Sequence, residues 1–264
     1  MRVIRSSPGP VPEGMAGRFG IGVAVLLLFA GPGVVAAQPA DGAPAEPSTW
    51  GGAALEMAMS SPDGSVDEVA FVAAAHGAWV VAPSLELGAG IDARGHALST
   101  EQAERGSGRA GLGTIRLWVG TGGSSDGVGV GARVVVAAGP SLVDLASIHG
   151  GAPEGSVALQ IDGALRVSTE LELGATLAGG MVWDGGVGSA IGSAQLDAFL
   201  GAAAVRPFGG FLVEGSPGAP TAVRIRLGAE IASGGATVTP LIVVAPPTDP
   251  EGLRLALVVS LVAS

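Results

Sequence analysis

Residues 155–180 alternate with a period of two. Val157, Leu159, Ile161, Leu165, Val167, Leu171, Leu173, Ala175 and Leu177 share one parity, and Gln160, Arg166, Ser168, Glu170, Glu172 and Thr176 share the other. Successive side chains of an extended strand point to opposite faces, so one face here is continuously apolar and the other polar and charged. Asp162-Gly163-Ala164 interrupts the run and reads as a three-residue hairpin turn. A two-residue Asp-Gly turn would pair Ile161 with Ala164 and exchange the faces. The two flanking strands average about the ~9–11 residues that a tilted strand needs to cross a bilayer.

The same pattern fills the rest of the chain from residue 51 onward. Leu55, Met57 and Met59 share a face, and 66–75 is a weaker strand. In 79–93, Val81, Leu85, Leu87, Ala89 and Ile91 oppose Glu86 and Asp92. Ile115, Leu117 and Val119 oppose Arg116, and Val130, Ala132, Val134 and Val136 oppose Arg133. After weaker strands at 189–200 and 205–214, Val223, Ile225, Leu227, Ala229 and Ile231 oppose Arg224, Arg226 and Glu230. Strands at 236–245 and 253–263 finish the chain, the last with Arg254 on its polar face. Twelve strands result, an even number. Their connections sort into a longer set, 60–65, 94–111, 139–154, 179–188, 215–220 and 246–251, and a shorter set, 76–77, 121–127, 162–164, 201–204 and 233–235.

Composition removes the main alternatives. Hydrophobic residues make up 48% of the 264 and the mean hydropathy is +0.53. Yet past the N-terminus no apolar run approaches the ~18 residues of a membrane helix. Apolar residues spread thinly over many strands satisfy both facts. The chain has no Cys, which excludes disulfides, cysteine zinc sites, thiol nucleophiles and a cysteine-linked lipid anchor. It has no Lys, which excludes a P-loop lysine and a Schiff base. Beyond Ala37, 10 Arg face 22 Asp and Glu, a net charge of −12. An acidic chain without basic and aromatic patches has no nucleic-acid partner.

Residues 1–37 read as a secretory signal. Arg2, Arg5 and Arg18 precede an apolar core at 21–30, and Val35-Ala36-Ala37 offers small residues for cleavage before Gln38. Both Met1 and Met15 are candidate starts, Met15 giving the more ordinary signal. Residues 38–50, rich in Pro, Ala and acid, form a flexible linker, and 51–264 form the folded domain.

With its signal, dyad strands of membrane-crossing length, even strand number and two-sided sorting of connections, the chain resembles bacterial outer-membrane β-barrel proteins over residues 51–264. The resemblance implies an all-β, antiparallel up-and-down transmembrane β-barrel of about 12 strands (10–12) in the outer membrane of a Gram-negative cell. It implies outer-membrane lipid as partner and a passive role, as a small pore or a structural or surface-exposed membrane protein, with no cofactor. On this arrangement Trp50, Trp79, Trp118, Phe199 and Phe208 fall near the periplasmic strand ends, as an aromatic girdle requires. The alternative is a soluble, secreted β-sandwich or lipocalin-like binding protein, whose apolar face would point inward.

The charges expected to line the lumen are Glu86, Asp92, Arg116, Arg133, Arg166, Glu170, Glu172, Arg224, Arg226, Glu230 and Arg254. They could select permeating ions or simply fill a narrow lumen as ion pairs. The mixture of signs along each strand, with no ring of one sign, favours the second. Arg224 and Arg226 form a same-face like-charge pair that needs opposite charge across the strands, for which Glu170, Glu172 and Glu230 are candidates. No catalytic or metal site is expected. The three histidines, His76, His96 and His149, lack i, i+4 spacing, and His96 near Glu101 and Glu104 reads as solvated loop rather than metal ligand. Gly123-Ser124-Ser125-Asp126-Gly127 matches G-x-S-x-G in letters, but it lies between two strands with no helix to follow, so it is not a hydrolase elbow.

Overall fold

The computed structural model describes residues 48–61, 68–82, 84–98, 109–139, 154–184, 186–201, 204–218, 221–245 and 253–263. The signal segment and all but the last residues of the linker lie outside this set. Residues 48–50, read as linker, begin the first strand. The strands are β1 (Ser48–Ser61), β2 (Glu68–Ala82), β3 (Leu85–Leu98) and β4 (Arg109–Ser125). There follow β5 (Val128–Ala138), β6 (Gly155–Arg166), β7 (Leu171–Asp184) and β8 (Val187–Leu200). Last come β9 (Val205–Gly215), β10 (Ala222–Ser233), β11 (Ala236–Ala245) and β12 (Leu253–Ala263). Each strand pairs antiparallel with its sequence neighbours, and β12 pairs with β1, so the sheet closes into a 12-stranded up-and-down barrel. Closure leaves no strand edge with unpaired backbone groups, the condition for a sheet to sit in hydrocarbon.

Alternation decides which way each side chain points. Along β10, Val223, Ile225, Leu227 and Ile231 are exposed on the outside, while Arg224 is buried within. Among the described residues, no outward position of any strand carries a charge; these positions hold apolar residues, Gly, Ala, Pro, Ser or Thr. Leu117, Leu177, Phe211 and Leu227 are each more than half exposed there. A soluble ligand-binding barrel has the opposite arrangement, so the lipocalin-like alternative falls. β12, with 11 residues, is about 36 Å long, and at a tilt of ~45° it spans about 25 Å, the height of an outer-membrane apolar band.

Two expected turns are strand. β6 runs straight through Asp162-Gly163-Ala164, with Gly163 paired to Val130 on one side and Ala175 on the other. The hairpin starts five residues later, at 167–170, where the Val167 and Ser168 N–H groups donate to the Leu171 carbonyl and Ser168 Oγ accepts from the Glu170 and Leu171 N–H groups. A serine hydroxyl that satisfies two turn amides holds the chain there more firmly than an acid-glycine pair without a left-handed residue. Likewise β2 continues through His76-Gly77, which pair with Gly90 and Ala89. Positive φ marks the tight turns that do form: Asp126 (49°) with Gly127 (82°), and Gly234 (57°) with Gly235 (83°). Both are two-residue loops with both central residues left-handed, the type I′ pattern that matches the strand twist.

Two irregularities shape the wall. Between Ile91 and Ala93 the register with β4 slips from Ile115 to Leu112, a bulge that sets Gly113 and Thr114 against Asp92. In β11, Pro240 has no N–H to donate, and the β10–β11 ladder is interrupted there, between Gly228↔Leu241 and Ile231↔Val238.

Candidate functional site in the barrel lumen

The interior holds clusters of ion pairs, some within a strand or between adjacent strands and some reaching past an intervening one. Asp92 on β3 is 1% exposed. It accepts from Arg94 Nε at 2.8 Å, from the Thr114 N–H at 3.0 Å and from Thr114 Oγ1 at 2.6 Å, and it is paired with Arg116. The β4 bulge makes this possible, because it turns the Thr114 amide out of the ladder and toward the lumen. Gly113 leaves the space that the Asp92 and Arg94 side chains occupy. On β6, Asp162 accepts from Gln160 Nε2 at 2.8 and 3.0 Å and from Thr176 Oγ1 at 2.8 Å, with Arg133 Nη2 at 3.4 Å. Asp197 on β8 accepts from Gln195 Nε2 at 2.6 Å and pairs with Arg226. Glu214 on β9 pairs with Arg224 on β10.

Arg206 on β9 spans the widest reach, bonding Glu230 on β10 at 2.7 Å and Glu172 on β7 at 3.2 Å. Its guanidinium also lies 5.1 Å from the centre of the Phe199 ring, and that of Arg226 lies 5.9 Å from Phe208. The two rings are 5.0 Å apart. They join Ala58, Leu241, Val243, Ala256 and Val258 in one buried apolar cluster on the β11–β12–β1 side of the lumen. Charge and hydrocarbon therefore meet on the β8–β10 side of the lumen, where both rings lie against guanidinium groups.

Most of the expected lumenal residues point inward. Asp92, Arg116 and Arg224 are buried, and Glu86, Arg133, Glu172, Arg226 and Glu230 are partly buried inside. Arg166 sits at the end of β6 with a 66% exposed side chain, 4.0 Å from Glu172. Glu170 is different: it is exposed in the β6–β7 turn and off the wall, a direct result of the shifted hairpin. Arg254 pairs through its backbone with Ser60 and Ala245, and its side chain lies outside the described set. The partners expected for Arg224 and Arg226 were also misassigned. Glu214 and Asp197 hold them, while Glu172 and Glu230 belong to Arg206. Arg94, Asp162, Asp197, Arg206 and Glu214 join the expected set: Arg94 and Asp162 read as connection and turn in the sequence, and Asp197, Arg206 and Glu214 sit in strands of weak alternation.

The aromatic girdle is corrected more sharply. Of the five residues expected in it, Trp79 alone faces outward; Trp50, Trp118, Phe199 and Phe208 face the lumen. Trp50 Nε1 and Trp118 Nε1 donate to the two oxygens of Glu86 at 2.9 and 2.7 Å. Glycines on neighbouring strands make room for the rings. Trp118 lies over Gly88, its direct cross-strand partner, and Phe208 lies against Gly228. Phe71, Trp183 and Phe211 are the other outward aromatics among the described residues.

His76 stands edge-on to Trp50 with ring centres 5.4 Å apart. His96 lies on β3 with its side chain outside the described set, as are His149, Glu101 and Glu104 entirely. Gly123-Ser124-Ser125-Asp126-Gly127 forms the end of β4 and its turn into β5. No group of three or more potential metal ligands occurs among the described residues.

No protein-family model and no curated protein matches the chain. Solved structures do. An outer membrane channel from Pseudomonas putida F1 superposes with a TM-score of 0.58 at 12% identity, over 85% of this chain and 98% of that one. The fold is that of a bacterial outer-membrane β-barrel. The β domain of the Bordetella autotransporter BrkA superposes with a TM-score of 0.51 at 12% identity, over 83% of this chain and all of its own. A channel and an autotransporter domain share this barrel wall, so its role has to be argued from the lumen.

Proposed function

We propose that this protein is an outer-membrane barrel of passive role, a narrow low-conductance pore or a structural membrane protein, and not an enzyme. It reaches the membrane through a signal peptide cleaved before Gln38. The observation that carries the proposal is Arg206, which ties β7 to β10 through Glu172 and Glu230 beside the Phe199 and Phe208 rings. Side chains that brace neighbouring strands from inside fill the cross-section an open pore would leave to water. Mixed signs in matched pairs also produce no single-sign ring to select an ion.

Planar-bilayer recording on the refolded barrel tests this. The unaltered protein should conduct weakly. The double variant Arg224→Gln/Arg226→Gln leaves Glu214 and Asp197 without their cations, so any current should shift toward cations and stability should fall. A large, weakly selective conductance in the unaltered protein would make it an open porin instead. N-terminal sequencing of exported protein should begin at Gln38; retention of residues 21–30 would contradict the signal.

A further inference from the structure

The lumenal acids Asp92, Asp162, Glu172, Asp197, Glu214 and Glu230 each lie against a guanidinium. Glu86 is held differently. Its two oxygens accept from Trp50 Nε1 at 2.9 Å and Trp118 Nε1 at 2.7 Å, and among the described residues no arginine forms an ion pair with it. An indole N–H is a neutral donor. It orients the carboxylate but leaves the charge uncancelled, where a guanidinium would cancel it.

Glu86 follows Leu85 at the start of β3, and Trp50 lies near the start of β1, so the group stands at the barrel end that carries the short turns. All three side chains are part-buried, within reach of water. Across the ladder Glu86 faces Gly120, which has no side chain to cover it. The next residue in that row, Arg133 on β5, turns to Asp162 at 3.4 Å, and Arg116 on β4 turns to Asp92. His76 stands edge-on to both indoles, with ring centres 5.4 and 6.5 Å away. The carboxylate cannot swing toward either guanidinium without giving up its indole bonds.

We propose that Glu86 sets the ionic preference of this mouth, drawing in small monovalent cations as hydrated ions and holding anions back. A matched ion pair has little field beyond its own contact, so a carboxylate without a cation decides the sign. With both oxygens engaged by indoles it is no chelating site, and the ions it attracts exchange rather than stay. In water a unit charge ~4 Å away enriches a monovalent counterion about 5-fold. At physiological ionic strength its field reaches about 8 Å. The inference rests on the barrel reading of the lumen but not on conduction through it.

Trp50 and Trp118 are themselves the probes, since Glu86 bonds both. Trp79→Phe and Trp183→Phe remove the outward pair, and of the chain's 4 tryptophans only Trp50 and Trp118 then report. In the refolded barrel caesium should quench this emission at least ~2-fold more strongly than iodide, each scaled to free tryptophan amide at the same ionic strength. Neutral acrylamide measures access alone. Glu86→Gln should erase the caesium preference and Glu86→Asp should retain it, with acrylamide quenching kept in both. Iodide quenching that equals or exceeds caesium in the lumen with Glu86 intact, or a caesium preference that survives Glu86→Gln, would overturn the proposal. So would tryptophans that acrylamide cannot reach. Reversal potentials across a KCl gradient separate this from the pore: a caesium preference in a barrel that passes no current keeps the role of Glu86 and removes the pore, while a current that favours chloride keeps the pore and removes the role of Glu86.

Discussion

Replacing Asp92 by Asn should be among the most destabilising single changes in the barrel. The side chain is fully buried, as are Arg94 at 2% and, nearly so, Arg116 at 8%. Asn keeps the shape but swaps one acceptor oxygen for an NH2 donor, which then faces guanidinium and hydroxyl donors. It also removes from a low-dielectric interior the acid that both guanidinium groups share. Removing one partner of a buried ion pair costs roughly 3–5 kcal/mol, and individual hydrogen bonds to charged groups account for about 1.5–3 each, not additively. We therefore expect a loss of about 3–5 kcal/mol for Asp92→Asn, read by urea titration of barrel refolded in liposomes. The exposed pair offers the contrast: Arg166→Gln, at a 66% exposed side chain 4.0 Å from Glu172, should cost no more than about 1 kcal/mol. Converting the whole cluster, Asp92→Leu with Arg94→Met and Arg116→Met, should recover most of the loss, since an apolar replacement removes the desolvation problem rather than half of it. If Asp92→Asn costs under about 1 kcal/mol, the cluster is hydrated and the interior is not the closed, low-dielectric space described above.

Two further outcomes follow from the two faces of the wall. Leu227→Arg and Leu257→Arg, both outward and near mid-strand, should each cost about 2–4 kcal/mol in the same titration, and the inward Ala178→Ser much less; equal costs on both parities would refute the lipid-facing assignment. Gly88→Val should push Trp118 off its seat, breaking the bond to Glu86, costing about 1–3 kcal/mol by overpacking, and red-shifting the lumenal tryptophan emission; an unchanged spectrum would show that the ring does not depend on the bare backbone opposite it.

Period-two alternation is a property of the extended backbone itself, so the faces of 155–180, 221–232 and 253–263 were legible residue by residue. The same holds for the strand number; which way the apolar face points, to lipid or to a core, was decided only by the closed structure, where Leu117, Leu177, Phe211 and Leu227 lie outside. What alternation does not carry is register. Whether Arg224 meets Glu172 or Glu214 depends on how far each strand slides against the next, which turn geometry and barrel closure set together. The hairpin at 167–170 in place of 162–164 shows the consequence: it moved Asp162 from a turn to the centre of a buried cluster and Glu170 from the lumen to the rim. The aromatic residues were decided in the same way. Trp118 shares the parity of Arg116, and Phe208 that of Arg206 and Glu214, so alternation turns both inward; what it does not carry is the seat, a glycine opposite each ring and, for Trp50 and Trp118, a Glu86 that accepts both indoles. These contacts join residues far apart in the chain, so they exist only once the sheet has closed.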